Sequence, residues 1–412
     1  MTAVRHAAAS DSPLPEALVP DVPTEIEYLT FHAHPGTAFR PLLRELMHAF
    51  ERPGGSEGIR WVILSPSGEE SGEIRESLKL QVPADLVSRT LFTVSPDGFN
   101  TWARDLYVFF QTGASGVYKI LPLSPHAAPA EKKIVSQIIP SGFISAPALS
   151  PPAPFPFAGG DLTSDDAFVY LGEKSVGRMM QAGGLSRAQA LERLKQVFKK
   201  EIIVLPGADP HQDRYHMPLG LVRGERTSLL ADPAAALRML QTLGPEEKER
   251  VILHYLRRFD WQDGAQVRRD LEALFSLDDK ERSRYEDSAY ARSLKEVEAL
   301  LKARGVRVVR LPSLDRRLIP DDPLPLGFYY VNLVQDTYRD VDGVRIRRKL
   351  VLPKYGIGPM DKRVRDILRE LDDFEIRMVD AAREGYRGGG IRCLLQTAGV
   401  KLESTQPPEP QK

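Results

Sequence analysis

The chain has a single cysteine, Cys393, in 412 residues. That excludes an intramolecular disulfide and a cysteine-built zinc site, and it fits a reducing compartment, so the expected location is cytoplasmic. An excess of charge of either sign is also missing. Lys and Arg number 56 and Asp and Glu number 56, so no global field draws the chain to nucleic acid or to an anionic membrane surface. No window approaches the ~20 apolar residues needed to span a bilayer. The first stretch, Met1 to Val22, has no continuous apolar run and reads as a flexible tail, not a secretory signal. The Pro-containing end from Glu403 to Lys412 reads as a second flexible tail. No G-x-x-x-x-G-K-[ST] loop supports nucleotide hydrolysis, and His32 and His34 have no clustered partner that would make a metal site. The string Gly54-Gly55-Ser56-Glu57-Gly58 fits G-x-S-x-G, but it follows a helix and precedes a strand, the reverse of a nucleophile elbow.

What is present is the material of an ordinary globular protein, with 42% hydrophobic and 27% charged residues. The length accommodates two or three domains, or one large domain with an insertion. Apolar periodicity predicts strands at Ile26 to Phe31, Arg60 to Leu64 and Thr90 to Val94, and an amphipathic helix from Ala38 to Phe50. Asp105 to Gln111 and Val117 to Leu121 read as a hairpin around the turn residues Thr112 to Gly116. The Pro-rich stretch from Ser141 to Pro156 reads as a long loop. A strand at Ala167 to Leu171 is followed by Ser186 and Gln189, a capping box for a helix with Leu191, Leu194, Val197 and Phe198 on one face, and then by a strand at Glu201 to Leu205.

Residues 245–287 are dense in charge and in helix formers, which predicts a solvated helical insertion. Beyond them a helix ends at Gly305 and a strand runs from Val306 to Leu311. Strands at Phe328 to Val334, Arg348 to Leu352, Glu375 to Val379 and Ile391 to Gln396, with a helix from Met360 to Leu371, complete the pattern. A βαβ-like unit recurs about five times, which argues for an α/β architecture.

Cys393 ends the run Gly388-Gly389-Gly390-Ile391-Arg392-Cys393. Glycines let a substrate or a neighbouring backbone come close, and a thiolate becomes a nucleophile when nearby groups lower its pKa. A lone cysteine is more often a small buried hydrophobe, so partners elsewhere decide the matter. Pro210-His211-Gln212-Asp213 puts an imidazole and a carboxylate two residues apart, on one face if the segment is extended. Trp102-Ala103-Arg104-Asp105 places a carboxylate at the head of an apolar strand, where it needs a cationic partner, either Arg104 or a ligand. Phe157-Ala158-Gly159-Gly160-Asp161 presents a third carboxylate after a glycine pair. Each string alone has a bland structural reading.

Together and in this order the strings resemble the guanidino-group-modifying pentein superfamily, and within it the agmatine and protein-arginine deiminases. The segment Tyr330-Val331-Asn332 is similar to a Y-x-N element of several deiminases. The resemblance covers about Thr24 to Val400 and implies one catalytic domain over 23–402 with the insertion at about 245–287. The implied fold is α/β, a five-bladed αβ propeller of ββαβ units. It implies Cys393 as nucleophile, His211 as general acid/base, and Asp105 and Asp213 as carboxylates holding a guanidinium. Asp161, Asn332, Arg104, Trp102 and Gly390 are the further substrate-binding candidates. The implied reaction converts a guanidino substrate, a small molecule or an arginine-containing peptide or protein, to a ureido product and ammonia. It needs no cofactor and no metal, and nothing in the sequence bears on regulation by calcium.

Two departures stand out. Ala158 replaces the acidic residue that agmatine and free-arginine deiminases carry before the glycine pair. Arg392 replaces the His before the cysteine that the agmatine and animal protein-arginine types carry. In an extended segment Arg392 would point away from Cys393, or else serve a substrate carboxylate. Ala158, together with the helical insertion after the His211-Gln212-Asp213 segment, tilts the reading toward the protein-arginine type. The alternatives are an amidinotransferase and a non-catalytic binding module.

Overall fold

The computed structural model describes residues 17–401, apart from 34–38, 54–57, 96–101, 106, 112–117, 123–155, 208–210, 260, 317–323, 325, 341 and 344. The Pro-rich loop before residue 156, the hairpin turn at 112–116, most of the G-x-S-x-G string and the C-terminal tail lie outside the described residues.

Strands gather into five small sheets, with no closed barrel among the described residues. In four of them the first strand is antiparallel to the second, and the second is parallel to a third. One sheet joins Leu162–Ser164, Phe168–Gly172 and Glu201–Leu205. The next joins His216–Val222, Glu225–Ala231 and Arg307–Leu311, and another Val334–Arg339, Ile346–Lys354 and Glu375–Asp380. The fourth ties the chain ends together: Leu395–Lys401 pairs antiparallel with Thr24–His32, followed in parallel by Arg60–Ser65 and Thr90–Val94. The remaining sheet, Ala17–Leu18 with Tyr107–Gln111 and Tyr118–Pro122, is antiparallel throughout.

Local chemistry explains most of these elements. The helix Arg187–Phe198 starts where the capping box placed it, with Ser186 and Gln189 satisfying each other's backbone N–H groups. Gly305 takes φ +71 after the helix Ala289–Ala303, a conformation that costs a residue with a Cβ. Arg40–Ala49 buries Leu42, Leu43, Leu46 and Met47 on one face.

Several expectations are corrected. The helices Gly68–Gln81 and Glu173–Gly183 were not foreseen, nor was the hairpin of His216–Val222 with Glu225–Ala231. The insertion forms Pro245–Leu256, Trp261–Phe275 and Asp279–Glu286, but it is not merely solvated: Val251, Ile252, Tyr255, Val267 and Leu271 enter the main core, because the charged runs alternate with apolar positions at helical spacing. Nor does a loose tail extend to Val22, since Ala17 and Leu18 pair with Gln111 and Phe110 and Val19 N donates to Phe109 O at 2.9 Å.

The most consequential corrections concern three stretches expected to be extended. Gln212–Arg214, capped by His211, and Ile391–Leu394 form tight helical turns, and in the stretch from Phe328 the chain turns at Tyr329 to Asn332 before its strand begins at Val334. Aromatic and β-branched residues gave these stretches strand character, yet the burial they needed is met by packing the turns inward. With Ala103–Asp105 and Gly159–Asp161, one such turn directly precedes a strand of each of the five sheets.

Candidate active site

Every candidate residue named from the sequence lies on or beside one of these five turns, and the turns converge. Gly160 marks the meeting point. A Cβ on Gly160 would lie 3.0 Å from Asp105 Oδ1, 3.1 Å from His211 Nδ1 and 3.4 Å from Asp213 Oδ1, so three polar groups from two other turns face one small space that only glycine leaves open. Gly160 N donates to Asp105 Oδ1 at 3.1 Å. The other oxygen of Asp213 faces the turn that carries Cys393, where Cys393 Sγ donates to Oδ2 at 3.5 Å. Asp213 is fully buried, and its Oδ1 has no hydrogen-bond partner among the described residues, an expensive arrangement unless a donor enters the space.

Asn332 clamps the turn that carries Cys393. Its Oδ1 accepts from Arg392 N at 2.8 Å and Cys393 N at 3.3 Å. Its Nδ2 donates to Asp213 O at 3.0 Å and to Cys393 Sγ at 3.1 Å. Gly390 permits this approach, since a Cβ there would sit 2.6 Å from Asn332 Oδ1. Gly389 does the same for Trp102, whose indole would be 2.5 Å from a Cβ. Asn332, Gly390 and Trp102 therefore shape and brace the turn around Cys393.

Asp161 is buried beside His211, with Oδ1 3.4 Å from His211 Nδ1. Its Oδ2 accepts from Ala158 N at 3.1 Å and from Arg178 at 3.3 Å. It is placed to orient the imidazole. Arg104 is buried and committed to Asp21 at 3.2 Å and Gln396 at 3.3 Å.

Arg392 departs furthest from expectation. On a helical turn it does not point away from the site. Its Nη1 donates to Asp213 Oδ2 at 3.1 Å and its Nη2 to Asp21 Oδ1 and Oδ2 at 3.0 and 3.1 Å and to Leu162 O at 2.9 Å. With 2% of its surface exposed and both terminal nitrogens engaged, it is not offered to a substrate carboxylate. Asp21, which the sequence placed in a tail, is the residue that sequence reasoning missed; Pro20-Asp21-Val22-Pro23 carries no signal that distinguishes it from a loop.

The electrostatics follow from burial. Burial pushes the Cys393 thiol far up, Asp213 and Asp105 add to the shift, and Arg214 opposes it. Burial also raises Asp105, against the pull of His211 and with the push of Asp213, and raises Asp161 well above the ordinary carboxylate range. Arg104 is pushed down to about 10 by burial and by Arg392. For Asp21, Arg104 and Arg392 overcome the effect of burial and hold the carboxyl below its ordinary value. A thiol, an imidazole and two carboxylates around a space with an unmet acceptor can receive a planar cation and attack it. Among the described residues no group of three or more His, Cys, Asp or Glu side chains forms a metal-binding cluster, and no helix is long and apolar enough to cross a membrane.

No family model and no curated sequence matches the chain. Solved structures do. The substrate-bound agmatine deiminase of C. jejuni superposes with a TM-score of 0.57 at 16% identity, covering 97% of this chain and 100% of that one. A protein provisionally assigned as a peptidyl-arginine deiminase gives 0.59 at 14% identity, covering 93% and 99%. The agmatine deiminase of Enterococcus faecalis gives 0.53 at 12%, covering 94% and 96%. Nearly the whole chain is thus folded as these deiminases are.

Proposed function

We propose that the protein is a guanidino-group deiminase, a C–N hydrolase that converts an arginine derivative to its ureido product and ammonia. The observation that carries this reading is the convergence of Asp105, His211 and Asp213 on the space beside Gly160, with Cys393 touching Asp213. The five sheets are read as the blades of a propeller, each contributing one turn to the site. A guanidinium stays protonated at any working pH and presents planar N–H forks that carboxylates match. Asp105 Oδ1 and Asp213 Oδ1 would each take part of that fork and set the central carbon over the sulfur.

The entering cation offsets the two carboxylates and, with protonated His211, favours the thiolate. Sulfur bonds to the guanidinium carbon. His211 gives a proton to a terminal nitrogen, the C–N bond breaks and ammonia leaves, so the substrate remains as an S-alkylthiouronium on Cys393. His211 then takes a proton from water, the oxygen adds to the same carbon, and the C–S bond breaks to release the ureido product and restore the thiol. Asp161 holds the imidazole throughout.

The test is a ureido-product assay across arginine, agmatine and an arginine-containing peptide, with ammonia measured in parallel. Product from any of them without an added amine supports hydrolysis; a requirement for an amine acceptor points to amidino transfer instead. Cys393→Ala should abolish turnover while the circular dichroism spectrum and thermal midpoint stay close to those of the parent. Undiminished product formation by Cys393→Ala would sink the mechanism, and tight guanidine binding without turnover by the parent would favour a binding module.

A further inference from the structure

A second guanidinium already stands at the site, and it belongs to the protein. Arg392 reaches Asp213 Oδ2 with one terminal nitrogen at 3.1 Å, while the other is held by both oxygens of Asp21 at 3.0 and 3.1 Å. Asp21 is itself fixed. Its Oδ2 accepts from Ser164 N at 2.7 Å, its own N donates to Ser164 O at 2.9 Å, and its Oδ1 meets Arg104 at 3.2 Å. The segment carrying it is stitched in by the strand Ala17–Leu18 and by Thr24 Oγ1 donating to Pro20 O at 2.6 Å.

An arginine fork and a carboxylate prefer two parallel hydrogen bonds. Arg392 gives Asp213 only one, because its other terminal nitrogen is drawn to Asp21. Among the described residues Asp213 Oδ1 consequently has no hydrogen-bond partner, and it faces Asp105, His211 and Gly160.

We propose that Asp21 is a positioning residue for cation binding: it tethers Arg392, an internal mimic of the substrate group, in a one-armed contact with Asp213, and so keeps the second Asp213 oxygen available to the substrate guanidinium. This rests on the deiminase reading, and it makes the segment before the first long strand part of the site. Without the Asp21 charge, Arg392 has Asp213 as its nearest carboxylate and closes on it with both arms. The incoming cation then competes with one that never leaves.

The test uses the full chain and two readouts. Steady-state kinetics of Asp21→Asn should show KM raised about tenfold or more with kcat little changed, the pattern of lost ground-state binding. Asp21→Glu, which keeps the charge, should retain most of the affinity. Asp21→Asn combined with Arg392→Gln should recover affinity relative to Asp21→Asn alone, because the competitor is gone; a purely structural bridge predicts no such recovery. Arg392→Gln alone should leave KM unchanged or lower, and it serves where Asp21→Asn does not fold. An unchanged KM in Asp21→Asn, a double variant as weak as the single one, or a raised KM in Arg392→Gln overturns the proposal. Titration of millimolar guanidinium chloride and agmatine into Cys393→Ala separates the two levels. Absence of binding there, with no product from the parent, is failure of the deiminase reading. Binding that Asp21→Asn leaves untouched is failure of this one alone.

Discussion

Two buried arginine clusters in this molecule are built from the same parts and end differently. Arg52 lies under the sheet that joins the chain ends, its Nε 2.9 Å from Asp336 Oδ2 and its Nη2 2.7 Å from Asp336 Oδ1. Asp336 Oδ1 also accepts from Ile26 N at 3.1 Å, and Arg52 Nη2 donates to Ile26 O at 2.8 Å. Both Asp336 oxygens are engaged. Arg392 and Asp213 are as deeply buried, but there the pair is one-armed and one carboxylate oxygen is left with no donor. The first cluster satisfies both oxygens of its buried carboxylate, the usual condition for tolerating buried charge. The second leaves one of its two unmet among the described residues, and that oxygen faces the space beside Gly160, Asp105 and His211. On the deiminase reading, the incomplete buried ion pair is where a ligand would enter, and the complete one only holds the fold.

The sharpest way to break the comparison is to neutralise the carboxylate in each cluster. Asp213→Asn should cost turnover about a thousandfold, since it removes charge where the proposed substrate cation would be held. Its effect on stability should be smaller, because Arg392 keeps both oxygens of Asp21 and an unmet buried charge is relieved. Asp336→Asn should do the reverse. Leaving Arg52 buried without its main partner should cost about 3 kcal/mol or more in chemical denaturation, with kcat/KM per folded molecule unchanged. Equal losses of stability and activity in both variants would erase the distinction.

Acid sharpens the contrast further, because the two kinds of carboxylate move in opposite directions. Asp105 titrates above the ordinary aspartate value, raised by burial and by Asp213. As pH falls, it takes up a proton early and loses its hold on a cation. Its protonation does not weaken the fold, because a raised folded-state pKa means that the native state binds that proton more readily than the unfolded chain does. Asp21 is held below its ordinary value, so its stabilising contribution is present above the unfolded aspartate pKa and is lost only as pH falls through the lower folded value. Agmatine binding to Cys393→Ala should therefore fail at a pH where circular dichroism is still native. Simultaneous loss of binding and structure would contradict the assignment of Asp105 as a carboxylate that titrates before the fold is lost.

The sequence made the regular elements legible wherever a local signal existed. Thr90–Val94 and Glu201–Leu205 fall at their expected boundaries, and the Ser186 and Gln189 cap starts its helix. The site residues were also legible, because their strings are short and ordered along the chain. Their backbone was not. Phe328-Tyr329-Tyr330-Val331 and Ile391-Arg392-Cys393-Leu394 satisfy a strand pattern by propensity, and only contacts with other turns, such as Asn332 Oδ1 on the amides of residues 392 and 393, hold them as turns. Asp21 was illegible for the same reason. Its partners Arg104, Ser164 and Arg392 lie 83, 143 and 371 positions away, and no local pattern encodes a contact of that range.

The smallest expected effect is also the one with opposite signs in its two readouts. Asp161 is fully buried, and burial raises its carboxyl well above the ordinary range. Above the unfolded pKa the charged form is therefore a cost to the native state, a cost that disappears as pH falls and the proton is taken up. Asp161→Asn removes that cost and keeps an oxygen to accept from Ala158 N. Only a half-exposed contact with Arg178 and the carboxylate beside His211 are lost. Stability at neutral pH should rise by about 0.5–2 kcal/mol, read as a higher thermal midpoint. Turnover should fall about tenfold to a hundredfold, because the imidazole loses the group that orients it. If Asp161 serves only the fold, the variant will be less stable and fully active once folded. A more stable and slower enzyme would mean that the buried charge is retained for the sake of His211.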